Sequence, residues 1–156
     1  MAGLAGSNDI VYAITMRPIP LVIGTNVFVA GLRSEGGASR QVLRRCLVGR
    51  YQPQFGNALW QEYQDVLGRD IWGIETSPDE RQQVLAALAA VGSWVKIFYG
   101  WRPNLPDEAD NHLVELALAA GTAGIVTHNV KDLARGELKF AQFRIVTPAE
   151  CLEVWP

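Results

Sequence analysis

Ile19-Pro20-Leu21-Val22-Ile23-Gly24-Thr25-Asn26-Val27-Phe28-Val29-Ala30 is the stretch on which the fold turns. Its first five residues are apolar, without the polar–apolar alternation of a strand that keeps one wet face. They are therefore expected at the centre of a parallel sheet covered on both sides. Gly24-Thr25-Asn26 ends the run, and a second apolar run, Phe28-Val29-Ala30, follows it.

Beyond that stretch, Ser34-Glu35-Gly36-Gly37 reads as a loop. Val42, Leu43, Cys46 and Leu47 recur at helical spacing in a helix that starts at Ala38 and is closed by Gly49. A short strand over residues 51–55 leads to Asn57, a good N-cap, and a helix over residues 58–67. Ser77-Pro78-Asp79-Glu80 carries the capping-box pattern with proline at the first helical position, opening a helix that runs to Val91. Residues 94–98 read as a strand and residues 99–106, with two prolines and a glycine, as a loop. A helix over 107–120, ended by Gly121, precedes a buried strand over 123–127. Loop and short helix over 128–136, a last strand over 143–146 and a closing helix over 148–154 complete the chain. Strands separated by helices predict an α/β fold with a mainly parallel sheet.

The chain has 156 residues, 49% of them hydrophobic, enough for one domain with a sizeable core. Residues 1–15 read as a flexible N-terminal extension and residues 16–156 as a single domain. A net charge of −2 excludes a protein that coats nucleic acid through general basicity, so any RNA contact needs a local patch. Arg33, Arg40, Arg44, Arg45 and Arg50, against the single acid Glu35, form the one such patch, which by itself reads more readily as a solvated helix face than as a phosphate-binding one. Cys46 and Cys151 lack metal-ligand spacing and suit reduced thiols in a cytoplasmic protein. No stretch approaches the roughly 20 apolar residues of a membrane span, and the first residues lack a basic signal-peptide start.

In open α/β sheets, ligands sit at the carboxyl ends of strands near a switch in strand order. Gly24-Thr25-Asn26 and Thr127-His128-Asn129 are two such strand ends. At about 100° per residue, Leu59, Tyr63, Val66 and Leu67 mark the apolar face of their helix, and Glu62 flanks it while Asp65 faces away. Asp110 shares an i, i+3, i+4, i+7 stripe with Leu113, Val114 and Ala117, where a carboxylate needs a partner or a metal. The plainer readings are an edge glutamate bonded to an arginine and a helix-start aspartate favoured by the dipole. His112 and His128 read as surface or loop histidines. Trp60, Trp72, Trp94 and Trp101 read as packing residues.

Taken in order, Gly24-Thr25-Asn26-Val27 after an apolar strand, Glu62 in Trp60-Gln61-Glu62-Tyr63, Asp110 in Asp107-Glu108-Ala109-Asp110-Asn111, and Val126-Thr127-His128-Asn129-Val130-Lys131-Asp132-Leu133 resemble the PIN-domain family over residues 19–148. The likeness is greatest to its VapC-like bacterial toxin branch. The resemblance implies a three-layer α/β/α domain whose acidic crevice holds Mg2+ or Mn2+ and hydrolyses RNA. It implies Glu62 and Asp110 as metal ligands, Asn129 at the fourth acidic position with Asp132 one turn on as a substitute, and Thr25 and Asn26 orienting metal-bound water or phosphate. Arg33 and Arg40 are expected to guide RNA. Cytoplasmic location, a cognate antitoxin and a homodimer are the matching expectations. Two positions depart from the pattern: Gly24 stands where the family's first aspartate is expected, and Asn129 is neutral. An impaired endoribonuclease follows, with a catalytically inactive domain that binds RNA or a partner protein as the alternative. A third reading, an unrelated phosphate-handling α/β enzyme, finds neither a P-loop nor a G-x-G-x-x-G turn.

Overall fold

The computed structural model describes residues 17–34, 36–97, 111–134 and 142–156. Five strands form one all-parallel sheet in the order β3-β2-β1-β4-β5. They are β1 (Ile19–Ile23), β2 (Tyr51–Phe55), β3 (Ser93–Trp94), β4 (Gly124–Val126) and β5 (Arg144–Val146). The apolar run at 19–23 is thus the central strand, with Leu21 in register with Pro53 on one side and Gly124 on the other. Leu21 and Val22 are fully buried and Ile23 nearly so. Each such side chain contributes roughly 1.5–3 kcal/mol by leaving water, which is why this run takes the middle of the sheet.

Seven helices pack around the sheet among the described residues: α1 (Thr25–Arg33), α2 (Ala38–Leu47), α3 (Asn57–Leu67), α4 (Pro78–Val91), α5 (Asn111–Ala120), α6 (Val130–Ala134) and α7 (Pro148–Val154). The second apolar run of the opening stretch belongs to α1, a helix that starts one residue after the central strand ends. Its buried face is Thr25, Val27, Phe28, Gly31 and Leu32. A Cβ added at Gly31 would stand 2.5 Å from Leu43 Cδ1, so glycine lets α1 and α2 approach closely. Gly49 and Gly121 both have positive φ, 86° and 62°, and terminate α2 and α5 as left-handed glycines do.

Three local expectations shift. The N-cap of α3 is Gly56, with Asn57 already inside the helix, and no side chain caps it. Ser77 caps α4 by accepting from the Glu80 N–H, with Pro78 in the first turn. The full reciprocal capping box is found instead at α7, between Thr147 and Glu150. The strand expected over 94–98 is the two-residue β3 within the described residues. The N-terminal extension, the loop at 99–106 and the start of the 107–120 helix lie outside the described residues, as does Trp101.

Cys46 and Cys151 are free and buried. Burial pushes the Cys46 thiol up to about 12 and the Cys151 thiol up to about 11, so both stay protonated core residues. Among the described residues no helix is long and apolar enough to cross a membrane.

Candidate functional site

From β1 the chain proceeds outward through β2 to β3, and the remaining strands, β4 and β5, lie on the opposite side of β1. The switch in strand order therefore falls between β1 and β4, where loops leave the sheet in opposite directions and open a crevice. A cleft of about 770 Å3 occupies that place, lined among others by Gly24, Thr25, Asn26, Arg33, Glu62 and Asn129. Gly24 follows β1 directly and donates its N–H to Val126 O at 2.8 Å, so the two strand ends are tied at the cleft floor.

Asn26 adds a second tie. Its Nδ2 donates to Thr127 Oγ1 at 3.3 Å, and its Oδ1 accepts from the His128 N–H at 3.3 Å. Thr127 Oγ1 also accepts from the Asn129 N–H at 3.0 Å. Thr127 is 1% exposed, and this network fixes the turn that presents Asn129 to the cleft.

Glu62 reaches the same cleft from α3. That helix is seated by Tyr63, whose hydroxyl donates to Ile23 O, and by Leu59 and Val66 in the core. Thr25 Oγ1 donates to Glu62 Oε1, and His112 Nε2 lies 2.8 Å from Glu62 Oε2. Partial burial pushes the Glu62 carboxyl up, but the hydrogen bonds from His112 and Thr25, with electrostatic attraction from His112 and Arg69, outweigh it. The net direction is down from 4.5, so Glu62 is ionised near neutral pH.

The expectation of a surface or loop position for His112 is overturned. Its side chain is 18% exposed and it holds a carboxylate oxygen in the cleft. The signal was present in the sequence: His112 stands four residues before the buried Leu116 and so flanks the apolar stripe of α5, as Glu62 flanks that of α3. His128 does sit exposed in the loop after β4, with its ring 3.2 Å from Ser39 Oγ.

Of the expected site residues, Thr25, Asn26, Arg33, Glu62 and Asn129 meet at the cleft. Arg40 is not among its lining residues and donates to Gly31 O at 3.2 Å. Arg69, which charge counting over residues 33–50 could not include, lines the cleft together with Arg33. Asp132 lies on α6 and is not among the cleft's lining residues. Asp110 lies outside the described residues.

Mg2+ and Mn2+ prefer hard oxygen donors. The Glu62 carboxylate and the Asn129 amide oxygen are of that kind, so the donor chemistry fits such an ion in character. Gly24 offers no side-chain donor. A Cβ built there stands 3.1 Å from Val126 O and 3.4 Å from Asn26 Oδ1, so a side chain at this position needs the neighbouring backbone to give by a few tenths of an ångström. Among the described residues no three His, Cys, Asp or Glu side chains gather into a group that could hold a metal ion.

Comparison with curated proteins gives no match. Among solved structures, a chain of the crystal structure of VapBC2 from Rickettsia felis bound to a DNA fragment from their promoter superposes with a TM-score of 0.56 at 12% sequence identity. The match covers 83% of this chain and 98% of that one, so the two share a fold. The sequence pattern of the family described as "PIN domain" matches residues 20–131, from the second residue of the central strand through the loop that carries Asn129. That span contains every strand end and side chain from which the cleft is built, and on it the chain belongs to the PIN domain family.

Proposed function

We propose that the cleft is the site of a Mg2+- or Mn2+-dependent endoribonuclease, the toxin component of a type II toxin–antitoxin pair, and that Gly24 leaves this copy impaired. The observation that carries the reading is the placement of Glu62. A carboxylate 37 residues away from Thr25 is drawn across to the first turn of α1 and held ionised at the switch point of a parallel sheet. A structural glutamate has no need of a 770 Å3 opening beside it.

In this reading Glu62 and Asp110 hold the metal, with Asn129, and Asp132 one turn beyond it, completing the acidic side. The ion, when bound, supplies a water of lowered pKa and positive charge against the phosphate. The chain's own side chains do the rest. Thr25 and His112 fix the direction of the Glu62 carboxylate, Asn26 holds the Thr127–Asn129 turn in place, and Arg33 and Arg69 take the flanking phosphates, with Arg40 as a further phosphate contact outside the cleft lining. The protein acts as one domain over residues 16–156 in the cytoplasm, with a cognate antitoxin as partner and a second copy of itself in the assembly. The fold shared with a chain of VapBC2 supports that branch.

A metal titration tests it. Mn2+ binding followed by calorimetry should be weak in the chain as given and tighten on Gly24→Asp by at least the roughly 10–100-fold that even an outer-shell partner is worth. Adding Glu62→Gln should cancel the gain. The alternative reading, an inactive domain that binds RNA or protein, is favoured by the full engagement of both Glu62 oxygens by Thr25 and His112. No gain in Mn2+ affinity from Gly24→Asp would select it.

A further inference from the structure

A second cavity, of about 320 Å3, opens beside the cleft, and Ala30 and Ser34 belong to the walls of both. Ala38 from α2 and Pro148 and Ala149 from α7 give it apolar walls, beside Gly37 and Thr147, whose hydroxyl accepts from the Glu150 N–H in the α7 cap. Two polar groups meet at it. Ser39, 5% exposed, places its hydroxyl 3.2 Å from Nε2 of His128, whose ring is exposed to the opening.

The cavity thus offers apolar walls and, in one place, a hydroxyl and an imidazole that between them can donate and accept hydrogen bonds. A nucleobase has the complementary design, with apolar faces and a rim of donors and acceptors. Single-stranded RNA is read by splaying bases out of the strand and hydrogen-bonding their edges. The adjoining cleft adds charge complementarity, because Arg33, the neighbour of the shared Ser34, and Arg69 are among its lining residues.

We propose that this cavity is a nucleobase subsite, taking one unpaired base of an RNA strand whose backbone lies between Arg33 and Arg69. Ser39 and His128 contact the rim of the base, and Ala30, Ala38 and Pro148 contact its faces. The strand passes from cleft to cavity over Ala30 and Ser34. This inference rests on the reading of the larger cleft as an RNA site.

The test compares two single-stranded ligands by fluorescence anisotropy with the full chain in EDTA, where no cleavage occurs. One is a hexameric oligouridylate; the other is an abasic ribose-phosphate hexamer of equal charge. Ala149 is exposed on the first turn of α7, so Ala149→Trp fills the cavity from its rim without entering the core. That substitution should weaken oligouridylate binding by about 10-fold, the order of one lost base contact, and leave the abasic hexamer unaffected. His128→Ala, also at an exposed position, should show a smaller loss with the same dependence on the base. Equal losses for both ligands, or no loss with either variant, would overturn the subsite. Binding that depends on Arg33 and Arg69 yet ignores both variants overturns the subsite alone. No RNA binding by the unaltered chain overturns the cleft reading with it.

Discussion

Glu62 keeps a negative charge in a half-buried position because two side chains donate to it, Thr25 at one oxygen and His112 at the other. If those contacts hold its carboxyl below 4.5, removing one should let burial raise it. We predict that His112→Leu moves the Glu62 titration upward, measured by carbon NMR of the carboxyl, and that an unchanged midpoint would contradict the assigned contact. Gly24 is the counterpart on the other wall. Its φ of −61° is ordinary for any residue, so glycine is not required there by the backbone. What glycine removes is a side chain at the point where β1, α1 and the Glu62 carboxylate converge, and that loss concerns the chemistry of the cleft more than the fold.

Where elements meet, space is tight. A Cβ at Gly124 would lie 2.9 Å from Arg144 O across the β4–β5 pairing and 2.6 Å from the Trp155 ring. Gly124→Ala should therefore destabilise by about 1–3 kcal/mol, read as a lowered midpoint of thermal or urea unfolding. The capping box of α7 gives a second prediction. Thr147→Ala should cost about 1 kcal/mol. Its sign with pH follows from Glu150, whose carboxyl is held below 4.5 first by the Thr147 backbone N–H. A depressed folded-state pKa contributes stability above the unfolded value that is lost as pH falls through the folded one. Acidification below about 4.5 should thus destabilise the unaltered chain more than a Glu150→Gln variant. The elements read best from sequence were those with a local cause: β1 from its unbroken apolar run, α4 from its Ser77 cap and Pro78. Helix α1 was not readable as a helix. Its buried face includes Thr25 and the featureless Gly31, while Val29 and Ala30 line the cleft, so no 3.6-residue apolar period appears.

At the scale of the whole molecule, the strand order places the ends of β1 and β4 side by side and gathers Thr25, Asn26, Glu62 and Asn129 from three separate regions of the sequence. Order along the chain, helped by family resemblance, was enough to name these four. It left the pairing of His112 with Glu62 unread, although the flanking position of His112 on α5 was legible, because that contact is set by how α3 and α5 pack across 50 residues of sequence. Arg69 lies outside the charge cluster over 33–50. Nor could it separate Arg33 at the cleft from Arg40 tied to Gly31. If Arg33 and Arg69 hold phosphates, replacing both with alanine should flatten the salt dependence of RNA binding by roughly one unit of slope per arginine. Unchanged affinity and slope would return both to the solvated surface. The central claim, that this cleft is a ribonuclease site lacking its first acid, is tested most directly by cleavage of a mixed RNA pool with Mn2+. The chain as given, Gly24→Asp, and Gly24→Asp combined with Glu62→Gln or with Asp110→Asn would be compared. Poor cleavage by the unaltered chain, a gain of at least about 10–100-fold on Gly24→Asp, and loss of that gain in both double variants are the expected results. Robust cleavage by the unaltered chain that survives Glu62→Gln would contradict the claim.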